Sequence, residues 1–205
     1  MPKRTTCRKH YITLRRQMSQ EDVRTKSRDI CEKVINCTAY KDAQVILAYY
    51  PLGNEVDCMP VLEDALNNGK QVMLPRTLEN CEMDFYQISR FSDVEEGHFH
   101  VMEPKAYCRK YEPECFVFEK DDLMQDAVQT KKGVLVLVPG VVFDCQGNRY
   151  GYGKGYYDRY FSRFPQLKRM GLAYTEQLSV ETLECLETDI KMQIIVTEKG
   201  IIQVY

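Results

Sequence analysis

The chain reads as an α/β protein, a three-layer α/β/α arrangement with a mostly parallel sheet. Three observations lead there. Runs such as residues 45–50 (VILAYY) and 134–138 (VLVLV) are apolar without alternation, as strands covered on both faces are. Segments with helical spacing fall between such runs. No linker, repeat or low-complexity stretch divides the 205 residues, a length that buries a sizeable core, so a single domain over 1–205 is expected.

Taken in order, residues 3–16 carry six Lys or Arg in fourteen positions and read as a helix too polar for a core. Such a segment lies on the surface or reaches across to a ligand. Ser19 followed by Asp22 resembles a capping box, and Val23, Ser27, Ile30, Cys31 and Val34 recur at helical spacing, which predicts a helix over 20–35. Residues 45–50 form a buried parallel strand ended by Pro51-Leu52-Gly53-Asn54. A short helix over 60–68 starts on a proline and has Gly69 just past its end. Residues 71–74 give a second strand closed by Pro75, and 83–88 alternate in a way that suits an antiparallel strand. From 90 to 132, charges and the prolines Pro104 and Pro113 suggest long loops with no element assigned. After the 134–138 strand, Tyr157, Tyr160, Phe161 and Phe164 form a helical stripe that faces the core, while Tyr156 falls off it toward the preceding loop. Strands at 168–174 and 193–197, a helical or loop segment around 179–186 and an edge strand at 201–204 complete the chain.

Bulk composition narrows the function classes. With 28 basic against 30 acidic residues and a net charge of −2, the chain is no general polyanion binder, and no nucleic-acid partner is expected. Nine cysteines without a C-x-x-C spacing suit reduced thiols in a cytosolic protein. Three histidines are too few and too badly spaced for zinc, and His98-x-His100 suits loop surface. The start, Met-Pro-Lys-Arg, has no apolar signal region, and the longest apolar run is too short to span a bilayer. The expected setting is cytoplasmic, with no membrane partner.

The chemistry concentrates at VLVLVPGVVFDCQGNRYGYGKGYYD, residues 134–158. An apolar strand, a loop with Gly140, Gly147, Gly151, Gly153 and Gly155, and a helix start form an arrangement that binds phosphate. Glycines admit a close anion and positive φ, and the first N–H groups of the helix point at it. Arg149 and Lys154 add cationic side chains. The loop is neither a Walker A sequence nor a Rossmann fingerprint. Two roles fit Asp158 in the first helical turn: complementing the helix dipole, or ligating magnesium beside phosphates. Glu55 and Asp57 follow the first strand, where a carboxylate either accepts from the amino groups of a heterocycle or is simply solvated; Asp189 is open in the same way.

This stretch closely resembles the signature of the 5-formyltetrahydrofolate cyclo-ligase family. LRRQMS at 14–19, GNEVD at 53–57, LPR at 74–76, GLAY at 171–174 and VTEKG at 196–200 support the resemblance in order along the whole chain. It implies a fold similar to the sugar-phosphate isomerase and CoA-transferase group. It also implies cyclisation of 5-formyltetrahydrofolate, with or without a polyglutamate tail, to 5,10-methenyltetrahydrofolate, with ATP as co-substrate and Mg²⁺. By position, Arg149, Gly151, Tyr152, Gly153, Lys154, Gly155, Tyr156 and Tyr157 match the family's nucleotide- and substrate-binding loop, with Lys154, Arg149 and Tyr156 the implied catalytic group. Arg8 and Arg4 (or Lys3 after a one-residue slip) match N-terminal ATP contacts, Arg8 also touching substrate. Tyr50 and Glu55, with Tyr152 and Tyr156, match the folate pocket, and Asp158 and Asp189 match magnesium ligands.

Three positions depart from that pattern. Gln193 stands where some relatives carry Asp, Tyr152 where some carry Arg, and no tryptophan is present, leaving Phe85 or Phe91 to supply an apolar wall. The alternative to catalysis is a folate- or nucleotide-binding module, against which the retained Lys154, Asp158 and Asp189 weigh; a sugar-phosphate isomerase lacks a visible general-base constellation. A monomer or weak dimer is expected.

Overall fold

The computed structural model describes residues 2–97, 101–113 and 133–204. Three helices, α1 (Pro2–Arg16), α2 (Gln20–Asn36) and α3 (Thr38–Asp42), lead into β1 (Ala43–Leu47). Then come α4 (Met59–Asn67), β2 (Gln71–Thr77), β3 (Met83–Ile88), β4 (Val94–Glu96) and β5 (Met102–Pro104). The rest is β6 (Gly133–Val138), the hairpin β7 (Val142–Asp144) and β8 (Arg149–Tyr150), α5 (Tyr156–Arg163), β9 (Lys168–Leu172), β10 (Leu178–Ser179), β11 (Ile194–Thr197) and β12 (Gly200–Gln203).

Seven strands form the main sheet in the order β12-β11-β9-β6-β1-β2-β3. The inner five are parallel, and β3 and β12 close the two edges antiparallel. Side chains of successive strand residues point to opposite faces, and the apolar runs exploit this directly. Ile46, Leu135, Leu137 and Val196 pack with Ile30, Val34, Val61 and Leu62 of α2 and α4 on one face. Val45, Leu47, Val136 and Val138 pack with Tyr160 and Phe161 of α5 on the other. The three-layer, mostly parallel arrangement expected from the sequence is the one observed. From β1 the chain winds one way to β2 and β3, then returns to the other side for β6, β9 and β11, so the crevice between the ends of β1 and β6 is a topological switch point.

Helix α2 buries the five residues its periodicity singled out, Val23, Ser27, Ile30, Cys31 and Val34. The Ser19 hydroxyl accepts from the Asp22 N–H at 3.0 Å. Asp22 does not complete a capping box, because its shorter side chain accepts from the Ser19 hydroxyl (2.7 Å) instead of the cap's backbone N–H. Gly69 takes φ 72° just after the α4 cap Asn68, the left-handed ending that its position suggested.

Elsewhere the boundaries moved for identifiable reasons. β1 stops at Leu47, and Tyr49 and Tyr50 leave the sheet toward its carboxyl edge. β2 does not stop at Pro75 but pairs with β3 through Thr77. Its pairing with β1 ends at Met73, so the missing N–H of Pro75 points where no strand waits for it. The glycine-rich stretch is not one loop, since β7 and β8 pair within it. The Asp144 carboxylate accepts from the Gln146 and Asn148 N–H groups, both at 2.9 Å, and Gly147 supplies φ 82°. In the unassigned region, β4 and β5 pair and Lys110 bridges to Tyr86; residues 114–132 lie outside the described residues. Around 179–186 the chain is loop, the second of the two forms expected, apart from Ser179, which ends the two-residue strand β10 against β7. The edge strand is present as β12. His98, His100 and Cys115 are outside the described residues, and the other eight cysteines are free thiols.

The buried ring of Phe143 is wedged between two glycines. A Cβ on Gly140 would lie 2.4 Å from Phe143 Cζ, and one on Gly171 would lie 2.6 Å from Cε1. Gly171→Ala should therefore destabilise the fold by about 1–3 kcal/mol through overpacking, and adding Phe143→Leu should return part of the loss. Urea unfolding of the single and double variants checks this, and additive losses would contradict it. Ser19→Ala should cost about 1 kcal/mol in the same measurement, for the lost α2 cap.

Candidate active site

A cleft of about 730 Å³ opens at the carboxyl edge of the sheet, walled by α1, the segment after β1, the loop between β8 and α5, and residues 186–190. The residues that the family signature matched to the binding loop, the folate pocket and the metal line it: Arg4, Arg8, Tyr50, Glu55, Arg149, Gly151 through Asp158, and Asp189. Residues distant in the sequence meet here because the strand ends diverge.

At one end lies the loop from Gly151 to Gly155. Gly153 (φ 98°) and Gly155 (φ 71°) hold left-handed backbone that side chains rarely adopt. Gly155 is also the N-cap of α5 and offers no side-chain cap, which leaves the first N–H groups of that helix to another acceptor. Arg8 reaches from α1 to donate from Nε to the Gly151 carbonyl at 2.9 Å. Arg159 braces the other side, donating to the Lys154 carbonyl and to the Cys81 carbonyl (2.9 and 2.7 Å). Cys81 and its neighbour Asn80 both have positive φ, so the turn before β3 is held in place by that arginine. The Lys154 side chain is exposed and makes no ion pair among the described residues.

Two guanidinium–carboxylate pairs sit behind this loop. Arg149, nearly buried at the start of β8, contacts both oxygens of Asp158 at 3.3 and 3.2 Å. Arg4 pairs with Asp189 at 2.9 Å and stacks over the Tyr150 ring, its guanidinium carbon 4.4 Å from the centroid. Both arginines keep a buried Nε with no hydrogen-bond partner, as does the Tyr157 hydroxyl. Orphaned buried donors of this kind are costly unless something accepts from them. Burial pushes the Tyr157 phenol up despite the nearby Arg149 charge, so it is a neutral donor. Tyr156 is raised as well, mainly by burial.

At the other end, Glu55 is 5% exposed. Its carboxylate accepts from the Leu52 N–H at 3.0 Å. Burial raises its carboxyl above the usual range, against the opposing charge of Arg15. Tyr49, Tyr50, Leu52 and Pro139 add apolar surface there.

The implied magnesium fits the donors present. Mg²⁺ is held by one or two carboxylates completed by phosphate and water oxygens, so it does not require a cluster of three protein ligands. No such cluster occurs among the described residues. Asp158 and Asp189 both face the cleft, and the N–H of Ile190, next to Asp189, donates to Asp158 at 3.2 Å. Each carboxylate is now matched by an arginine with spare donor capacity, which is how a site shared by a cation and phosphate oxygens would be balanced.

Several ambiguities resolve. Arg4 rather than Lys3 faces the cleft; Lys3 is exposed and pairs with Glu184. Asp57 takes the bland role, accepting from the Met59 N–H at 3.0 Å before α4. Gln193 is structural, accepting from the Arg169 N–H at 2.8 Å. The apolar-wall expectation for Phe85 or Phe91 was wrong. Phe85 packs against Tyr160 in the core and Phe91 against the opposite core, so Met83 and Pro75 line the cleft instead. Arg15 and Arg159 were missed. The spacing Arg4, Arg8, Tyr11, Arg15 is one helical face and could have signalled the first.

Comparison with known proteins agrees with this geometry. The sequence profile described as "5-formyltetrahydrofolate cyclo-ligase family" matches residues 1–198. The probable 5-formyltetrahydrofolate cyclo-ligase of Caenorhabditis elegans is 27% identical over 201 residues, covering 93% of this chain and 90% of its own. The 5-formyltetrahydrofolate cyclo-ligase of Mus musculus is 28% identical over 169 residues, covering 80% and 78%. The solved 5,10-methenyltetrahydrofolate synthetase of Aquifex aeolicus superposes with a TM-score of 0.79 at 28% identity, over 98% of this chain and 92% of that one. With the family signature running through the loop that caps the cleft, the chain belongs to the 5-formyltetrahydrofolate cyclo-ligase family.

Proposed function

We propose that the protein is a ligase that closes 5-formyltetrahydrofolate to 5,10-methenyltetrahydrofolate at the expense of ATP. The observation that carries this reading is the polarity of the cleft. Cationic and N–H donors (Arg4, Arg8, Arg149, Lys154 and the start of α5) gather at one end, and a buried acceptor with aromatic walls (Glu55, Tyr50, Tyr152) stands at the other. A polyphosphate suits the first, and a heterocycle with N–H donors suits the second.

The formyl oxygen on N5 is a poor leaving group, so ring closure requires its activation. The γ-phosphoryl group passes from ATP to that oxygen, breaking its bond to the β-phosphate oxygen and releasing ADP. The neighbouring N10 amine then attacks the activated carbon, loses its proton, and the C–O bond breaks to release phosphate. Phosphoryl transfer of this kind depends on positioning and on neutralising charge at the transferred oxygens. Lys154 and Arg149 supply positive charge at the transferred group, the Gly151–Gly155 backbone and Tyr156 shape the nest around it, and Arg4 and Arg8 hold the nucleotide from α1. Asp158 and Asp189 would hold magnesium, whose contribution is to neutralise phosphate charge. Glu55 accepts from the pterin, and Tyr50 and Tyr152 flank the ring.

Mixing the protein with ATP, Mg²⁺ and (6S)-5-formyltetrahydrofolate should give the absorbance of methenyltetrahydrofolate. Calorimetric binding of folate with no product would point to the binding-module alternative and defeat the enzymatic reading. Lys154→Ala should lower turnover by about 2–4 kcal/mol of transition-state stabilisation, roughly 30-fold to 1,000-fold, while leaving the unfolding midpoint unchanged because the side chain is exposed. Wild-type turnover in that variant would remove the lysine from the mechanism.

A further inference from the structure

Arg159 takes no part in the reading above, yet its side chain clasps the glycine loop to the turn before β3. Its Nε and Nη2 donate to the Cys81 carbonyl at 2.9 and 2.7 Å, and Nη2 donates to the Lys154 carbonyl as well. Its own backbone N–H donates to the next carbonyl, that of Gly155, at 3.0 Å. The guanidinium lies so close to the loop that a Cβ on Gly155 would sit 3.1 Å from Nη1.

The post on which this clasp rests is strained and fixed. Asn80 (φ 58°) and Cys81 (φ 57°) are, among the described residues, the two non-glycine residues with left-handed backbone. Such outliers persist only where the surroundings over-determine them, and they cluster at functional sites. Here the Leu78 N–H donates to the Glu82 carbonyl at 2.8 Å across the turn. One helical turn beyond Arg159, Arg163 donates to the Met83 carbonyl at 2.7 Å and pairs with Asp84 at 3.0 Å. The Cys81 carbonyl is thereby held at a set place against α5.

What the clasp fixes is the orientation of one peptide. A trans peptide points its C=O and N–H to opposite sides, so the bond to the Lys154 carbonyl turns the Gly155 N–H away from the guanidinium. Glycine accepts either sign of φ, so without that bond the Lys154–Gly155 unit is free to flip and to present a carbonyl dipole in its place. A phosphate nest is built from N–H groups, and a carbonyl facing a phosphate oxygen repels it. Arg8 holds the Gly151 carbonyl in the same way at the other end of the loop.

We propose that Arg159 is a positioning residue for the nucleotide end of the cleft: it locks the Lys154–Gly155 peptide with its N–H available to phosphate, and so sets where the Lys154 side chain leaves the loop. This rests on the ATP reading of the cleft.

Steady-state kinetics, and NMR relaxation dispersion of the Gly155 amide in the ligand-free chain, test this on Arg159→Met and Arg159→Lys. In Arg159→Met, kcat/KM for ATP should fall about 10-fold to 100-fold while KM for (6S)-5-formyltetrahydrofolate keeps its wild-type value. The Gly155 amide of that variant should gain microsecond-to-millisecond exchange that wild type lacks. The chain should stay folded, because Arg163 still docks α5 on β3. Arg159→Lys keeps the charge, but one ammonium cannot reproduce the fork between the two carbonyls, so it should show the same exchange and most of the same loss. A fall in kcat/KM with a Gly155 amide as quiet as in wild type means that Arg159 acts on the nucleotide directly, and overturns the proposal. Wild-type kinetics in either variant overturns it too, and leaves the ligase reading intact. If Arg159→Met does not fold, Arg159→Lys decides by the same two measurements. A wild-type chain with no ATP-dependent turnover overturns both.

Discussion

Three guanidinium groups, those of Arg4, Arg15 and Arg149, are held almost out of water at the rim of a single cleft, and the arrangement around them follows from that cost. A desolvated cation is tolerated only when carboxylates, hydroxyls and carbonyls are fixed within reach. Asp189, Asp158, the Tyr152 hydroxyl, and the Gly140 and Pro139 carbonyls meet this requirement. These partners come from the turn after β6, the loop between β8 and α5, the first turn of α5 and residues 186–190, so the arginines tie those segments together as well as charging the cleft.

The compensation is deliberately incomplete in one direction. Both Arg4 and Arg149 retain an unused buried donor, and the first turn of α5 has no side-chain cap. Such a surface is poised for an anion with many oxygens, and the paired aspartates keep it stable in the anion's absence. At the opposite end the balance is reversed: Glu55 is a buried carboxylate, to which the Leu52 N–H donates. The two ends thus differ in hydrogen-bonding character, with donors gathered at one and a buried acceptor at the other.

The rigid frame beneath makes this precision affordable. Phe143 fills the space that Gly140 and Gly171 leave, which fixes the turn after β6 against β9 and sets the height at which Arg149 emerges. The hairpin β7–β8 rests on that ring, and α1 lies across the hairpin through Cys7 and Tyr11. A displacement of any of these would move the arginines relative to the loop, where catalysis by positioning is sensitive to small shifts.

Local patterns determined most of the elements. Continuous apolar runs marked β1, β6 and β11, helical spacing marked α2 and the core stripe of α5, and glycines at Gly69, Gly153 and Gly155 marked the places where backbone turns left-handed. The family signature marked the cleft residues too, because the chemistry requires those residue types in one short segment. What the tertiary structure alone decided is partnership. Whether Pro75 ends a strand depends on where the neighbouring strand stops, and whether Phe85 faces ligand or core depends on which face of β3 meets α5. The partners of Arg15 depend on Gly140 and Tyr152 arriving beside it from elements up to 137 residues away. Periodicity reports the environment of a side chain along its own element, whereas burial and charge pairing are set by elements that the local sequence does not contain.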